Sequence, residues 1–203
     1  GQVLQLVGRW DQARSRYLDA LETAKALGDL VGVARCHRAL GRLLYHEEPQ
    51  QALEWLEQGL ALSRTEGLTG AEVAEAVFLI DIGWAQFQLT DFDRALETLR
   101  CGLEMLPSEP GEIRGNALSS LTAIHINRGD VEAAMRYAEE ALANGRAIPN
   151  LWQEQIALSN LAVAHFMALD WRGAVSSLQE AIALAEMVGD KRVQAGQAVN
   201  MGL

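Results

Sequence analysis

Cysteine occurs only twice in the 203 residues, at Cys36 and Cys101, and nothing pairs the two at metal-ligand spacing. That excludes a disulfide framework and a cysteine-based metal site. Both lie on apolar stretches and read as buried free thiols, which suits a reducing, cytoplasmic setting. No uncharged apolar run approaches the ~20 residues that span a membrane. Basic residues are scarce, 17 Lys and Arg against 27 Asp and Glu, for a net charge of −10. Such a surface repels phosphate backbones, so direct nucleic-acid binding is not expected. The acids gather in stretches such as RALETL and YAEEAL and read as a solvated outer face. Aromatics amount to 6% while hydrophobic residues reach 49%, with Ala and Leu dominant, a composition suited to helices stacked at small crossings.

Catalytic constellations are missing too. His46-Glu47-Glu48 lacks a second His four residues after the first, so zinc-protease spacing fails. His37, His125 and His165 stand among apolar residues and read as packed or groove-lining side chains. No Gly-rich phosphate loop follows a strand, and no Ser sits in a nucleophile elbow. Neither an enzyme activity, a metal nor a cofactor is expected of this chain.

What the sequence does have is a period. A small residue recurs as Gly41, Gly83, Thr122, Ala162 and Gly202, at spacings of 42, 39, 40 and 40. A second series runs Ala13, Ala52, Ala95, Ala134 and Ala174, and a third follows seven residues later at Ala20, Gly59, Gly102, Ala141 and Ala181. A bulky opener recurs as Trp10, Pro49, Phe92, Val131 and Trp171. Self-similarity at this period signals stacked helix pairs. Two antiparallel helices approach closely where one presents Gly or Ala and the other fills the space around it. A single pair cannot bury both of its faces, so each needs the next.

The unit at 78–103, FLIDIGWAQFQLTDFDRALETLRCGL, shows the pattern most fully. GRWDQARSRYLDALE, RGDVEAAMRYAEEALA and LDWRGAVSSLQEAIAL resemble the second half of a tetratricopeptide repeat, and ALGRLLY, DIGWAQF, SLTAIHI, NLAVAHF and NMGL resemble the first half. The repeats are longer than the common 34 residues and are similar to those of LGN and kinesin light chain scaffolds. They also resemble the repeats of the large bacterial LuxR-type activators related to the maltose regulator. Pro49 for the aromatic opener and Thr122 for the first Gly depart from the pattern. The resemblance implies an all-α fold, an α-α superhelix (a tetratricopeptide solenoid) of about five antiparallel helix pairs.

The units are expected at 1–28 (partial), 29–67, 68–108, 109–148, 149–189 and 190–203 (partial), all in a single solenoid domain. Helices are expected over 10–27, 31–46, 50–65, 71–89, 92–105, 113–127, 131–146, 153–169 and 171–188, with a helix tail at 1–6 and a last helix over 191–203. Gly28-Asp29 and Gly189-Asp190 each read as a helix stop followed by a cap. Leu-Pro-Ser-Glu-Pro at 106–110 is the clearest break, but the period survives it, so it reads as a change of stacking angle within one domain. Gly1 and Leu203 both fall where a helix should be in mid-course, and no initiator Met is present. The chain therefore reads as a fragment of a longer protein.

In tetratricopeptide stacks the first helices line an inner groove, and the resemblance places the binding residues there. Helical spacing puts Arg35, Arg38, Arg42 and Tyr45 on one stripe of the second unit. Three arginines on one face of an acidic protein suit carboxylates and phosphates, which the guanidinium fork holds bidentately. The alternative is pairing with Glu47 or Asp81. The same face next reads Val77, Ile80, Trp84 and Phe87, an anchor pocket or inter-repeat core. It then reads Asn116, Ser119, Ala123 and Asn127, and finally Ile156, Ser159, Val163 and Phe166. Asn side chains can clamp an extended backbone because they donate and accept together. The expected function is a protein–protein interaction scaffold. Its groove takes a peptide or partner domain, acidic at one end and with an apolar anchor. The alternative is the effector-sensing segment of a bacterial multidomain regulator, with a small molecule as ligand.

Overall fold

The computed structural model describes residues 10–65 and 71–188, the side chains of 71–74 excepted. The expected helix tail at 1–6, the joint at Gly67 and Gly70, the Gly189-Asp190 turn and the helix over 191–203 fall outside them. The described residues form helices and connecting turns, with no strand among them. The chain divides after Leu106 into two compact units, at the two-proline loop.

The first unit holds α1 (Trp10–Leu27), α2 (Leu30–Leu44), α3 (Pro49–Ser63), α4 (Ala71–Gln88) and α5 (Phe92–Glu104). The second holds α6 (Glu112–Arg128), α7 (Val131–Ala147), α8 (Leu151–Met167) and α9 (Trp171–Val188). α2 pairs with α3, α4 with α5, α6 with α7 and α8 with α9. α1 stands in the register of the second helices and packs on α2.

Two devices repeat at the joints. Asp29, Asp91, Asp130 and Asp170 each accept a hydrogen bond from the backbone N–H three residues on, at 2.9, 3.4, 3.2 and 3.0 Å, which satisfies a donor the first turn leaves free. Each Asp also donates its own N–H to a carbonyl five residues back, on Ala24, Gln86, His125 and His165, closing the preceding helix. The residue before the Asp turns left-handed. Gly28 and Gly129 take that conformation freely, whereas Thr90 and Leu169 take it at φ 61° against their own Cβ atoms. Pro49 opens α3, where its missing N–H is harmless. α8 begins at Leu151 rather than at Gln153, because the Asn150 side chain caps it from outside. It ends at Met167 rather than at Leu169, whose positive φ leaves the helix.

The crossings are built as the spacing suggests. A Cβ added at Gly41 would stand 2.5 Å from Leu56 Cγ, and one at Gly83 2.5 Å from Leu99 Cγ. Both leucines are fully buried. Thr122, in the same register, is also fully buried and donates its hydroxyl to the Leu118 carbonyl at 2.8 Å. The position of Leu56 and Leu99 is there taken by buried Ala138. Gly with Leu and Thr with Ala carry the same number of side-chain heavy atoms, so the register keeps its volume while exchanging which helix supplies it.

Cys36 is half-buried, and burial, then the Asp29 carboxylate, push its thiol up. Cys101, expected to be buried, is exposed. The buried stripe of α5 is Ala95, Leu96, Leu99 and Gly102, and a residue two past Leu99 lies on the opposite side of the helix.

Candidate functional site

In the first unit, α2 and α4 carry polar pairs between them. Arg38 Nε donates to Asp81 Oδ2 at 2.5 Å, and Arg42 Nε stands 4.0 Å from Asp81 Oδ1. Asp81 is largely buried, with 11% of its side chain exposed, against 26% for Arg38 and 47% for Arg42. One turn further on, Gln88 Nε2 lies 2.6 Å from His46 Nδ1. A mostly buried carboxylate needs this compensation, since desolvation penalises its charge. Glu47, the other acid considered for the arginines, is exposed, and Arg38 and Arg42 turn to Asp81. Arg35 is exposed and makes no ion pair or hydrogen bond among the described residues.

Tyr45 lies behind the stripe. Its ring belongs to the core formed with Leu44, Leu56, Phe78 and Ile82. Burial, and after it the Asp81 carboxylate, push its hydroxyl well above the usual range. That hydroxyl faces the Asp81 carboxylate without a hydrogen bond of good geometry. Ile80 is core as well, since the space a Cβ would need at Gly102 is filled partly by Ile80 Cγ1 at 3.1 Å. Trp84 packs on the same core yet stays half-exposed. Its ring lies 4.9 Å from Phe87, which lies 5.8 Å from Phe92 at the start of α5. These centroid distances are those of offset aromatic pairs. The first unit thus brings three arginines on α2, a carboxylate on α4 and a run of three half-buried rings on α4 and the start of α5.

In the second unit the corresponding helices, α6 and α8, are joined by amides. Gln153 Nε2 donates to Asn116 Oδ1 at 2.7 Å, and Asn150 Nδ2 to Glu112 Oε1 at 2.6 Å. Buried Asn144, on α7, both accepts from the Gly111 N–H and donates to its carbonyl, each at 3.0 Å. Asn127 is exposed and its amide returns to the Ala123 carbonyl of its own helix at 2.8 Å. Ser159 is half-buried, with its hydroxyl on the Gln155 carbonyl at 3.0 Å. Phe166 is 58% exposed and rests edge-on against Trp171 at 5.2 Å.

His37 is buried with its ring edge-on to Trp55 at 5.1 Å, and burial holds its imidazole below the usual range. His125 and His165 stand 3.1 and 3.0 Å from the capping carboxylates of Asp130 and Asp170. Among the described residues no group of three His, Cys, Asp or Glu could hold a metal ion, and no helix is long and apolar enough to cross a membrane.

The pairs between first helices were the part of the site that residue-by-residue reading missed: His46 with Gln88, Asn116 with Gln153, and Glu112 with Asn150. Their signal is the period itself. Each pair is separated by 37 to 42 residues, so residues about one repeat apart meet side by side.

Two tetratricopeptide-repeat family models match the chain, one over residues 1–65 and one over 115–143. No curated protein sequence matches it. Among solved structures it is similar to the crystal structure of BtubC (BKLC) from P. vanneervenii. The TM-score is 0.72 at 22% identity, over 93% of this chain and 78% of that one. At that identity the likeness speaks for the fold, which is all-α and of the tetratricopeptide solenoid kind. Repeats of this type generally mediate protein or peptide binding. The periodic crossings, the paired helices and these matches together make the chain a tetratricopeptide-repeat protein, an interaction scaffold built of stacked helix pairs.

Proposed function

We propose that this scaffold binds a peptide or partner domain on the face formed by its first helices. The observation that carries the reading is the neighbourhood on α2 and α4 of Arg35 and Arg42, both exposed, with the half-buried rings of Trp84 and Phe87. Guanidinium groups with unused N–H donors recognise carboxylates. Half-buried aromatic rings serve as anchors for an apolar side chain. Arg38 and Tyr45 support this face from behind. The second unit carries on its own first helices Asn116, Asn127, Ser159 and Phe166, which offer a partner amide, hydroxyl and aromatic groups. The partner is a protein segment with acidic residues and an apolar anchor. It is not nucleic acid, because the chain carries a net charge of −10. The repeats serve binding, with no catalytic step of their own. Two free thiols suit a reducing compartment such as the cytoplasm.

The test is affinity capture from host lysate with the chain as bait, beside an Arg35→Glu/Arg42→Glu variant that melts like the parent. Arg38 is left intact because it holds Asp81. A protein captured by the parent and lost by the variant, then narrowed to a segment that binds directly, supports the reading. Identical capture by both refutes the basic face as the site. A thermal shift with small acidic metabolites but no protein captured favours the effector-sensing alternative.

A further inference from the structure

We infer that Asp81 is a resident carboxylate in the arginine clamp, and that an acidic partner binds by exchanging with it. The inference rests on the proposed function above and concerns the same face. Asp81 lies on α4, yet both of its cationic partners lie on α2. They bind it unequally. Arg38 makes a short Nε hydrogen bond, while Arg42 stands at 4.0 Å, beyond hydrogen-bond reach, and nearly half of its side chain faces solvent. Arg42 is thus oriented by Asp81 but not consumed by it. With exposed Arg35 two turns away, the clamp keeps an excess of positive charge in a chain that is otherwise acidic.

When a partner carboxylate takes the guanidinium of Arg38 and Arg42, Asp81 loses its counter-charge and needs another donor. One stands ready. The Tyr45 hydroxyl is buried within the field of Asp81, Arg38 and Arg42 and faces the Asp81 carboxylate without a hydrogen bond of good geometry in the resting state. The other repeats hold Ala39, Ser120 and Asn160 at the register of Asp81, so the carboxylate is a property of this one crossing and neutral residues fit the backbone there. Asp81 therefore sets how strongly the face takes acid. It lowers affinity for any carboxylate and screens out partners too weakly acidic to displace it.

The experiment is fluorescence anisotropy on the full chain. The probe is a short labelled peptide of glutamates around one phenylalanine, and its all-glutamine counterpart is the control. Asp81→Asn, which installs the residue found at Asn160, should bind the acidic probe about tenfold more tightly, the worth of one charge-assisted hydrogen bond no longer competed for. Its affinity should also fall more steeply with salt, and the glutamine probe should not respond. Tyr45→Phe should weaken acidic-probe binding in the parent and leave Asp81→Asn unchanged. If Asp81→Asn melts below the parent, Asp81→Ser, the residue of Ser120, takes the same measurement. Asn and Ser variants that bind no tighter, while Arg35→Gln/Arg42→Gln loses the probe, would overturn the exchange and leave the binding face standing. A probe bound by neither the parent nor the Asp81 variants would overturn both.

Discussion

The crossing register makes a quantitative demand. Gly83 faces Leu99 so closely that an added Cβ would stand 2.5 Å from Cγ and 2.9 Å from Cδ2, with the Ala95 carbonyl at 3.3 Å. Relaxed carbon contacts lie near ~3.5–4 Å, so a methyl must open the crossing by about 1 Å. Leu99 is fully buried and has nowhere to swing. Gly83→Thr brings three side-chain heavy atoms into that space. Overpacking costs roughly 1–3 kcal/mol or more, and the gain in helix propensity over Gly returns only about 0.3 kcal/mol. A net loss of about 3 kcal/mol is expected. Leu99→Ala alone leaves a cavity and should cost about 2–5 kcal/mol. The double variant reproduces the Thr122 and Ala138 arrangement that the chain already uses. It should lose only about 2–5 kcal/mol in all, a favourable coupling of roughly 3 kcal/mol between neighbours. Urea denaturation followed by far-UV circular dichroism measures all four corners of the cycle. Losses that add to within ~0.5 kcal/mol would mean the two positions do not share a volume, and the reasoning would fail.

Three further outcomes follow from the described geometry. Leu169→Gly should stabilise by about 1 kcal/mol, since the left-handed conformation costs a non-glycine residue ~1–2 kcal/mol and Gly gives back part of that as unfolded-chain entropy; an unchanged or lowered melting temperature would count against strain at this turn. Asn144→Ala should cost about 1–2 kcal/mol, because it strands the Gly111 N–H and takes one of two donors from the Gly111 carbonyl, which keeps the Gly115 N–H, and hydrogen exchange should quicken first at 111–115. His37 is held below its ordinary value by burial, so the unfolded chain binds its proton more readily than the folded one. Stability from this residue is complete above about pH 6.5 and declines as pH falls from there through the folded value; His37→Gln should flatten the loss between pH 7 and 5, and equal slopes would refute the assignment.

The fold was legible because its determinants are local and repeated. Small residues at Gly41, Gly83, Ala95 and Ala134 mark the crossings, and aspartates mark the helix starts. Thr122 looked like a weak unit because its compensation sits on another helix, at Ala138, and nothing in the local sequence says that the two share a space. Cys101 was taken for a buried thiol from its apolar surroundings, although the stripe through Leu99 and Gly102 turns it outward. Thr90 and Leu169 gave no sign of a left-handed turn, because only glycine advertises one; aligning them with Gly129 would have shown it. At the candidate site, helical spacing placed Arg35, Arg38 and Arg42 on a common stripe. It named Asp81 and Glu47 as possible partners but could not choose between them, nor say that Tyr45 turns into the core, since both depend on how α4 lies beside α2.

The pairs that join neighbouring first helices have a consequence for how such a chain can change its length. Arg38 and Asp81 belong to different repeats, as do Asn116 and Gln153, and Glu112 and Asn150. Copying or excising one repeat as a block carries half of each pair with it. A new junction then sets a carboxylate against no cation, or an amide against a methyl. The backbone period alone would let repeats be shuffled like identical bricks, but the polar pairs work as keyed joints. A viable insertion must bring two matched edges, so this array can lengthen far less freely than its regular spacing suggests.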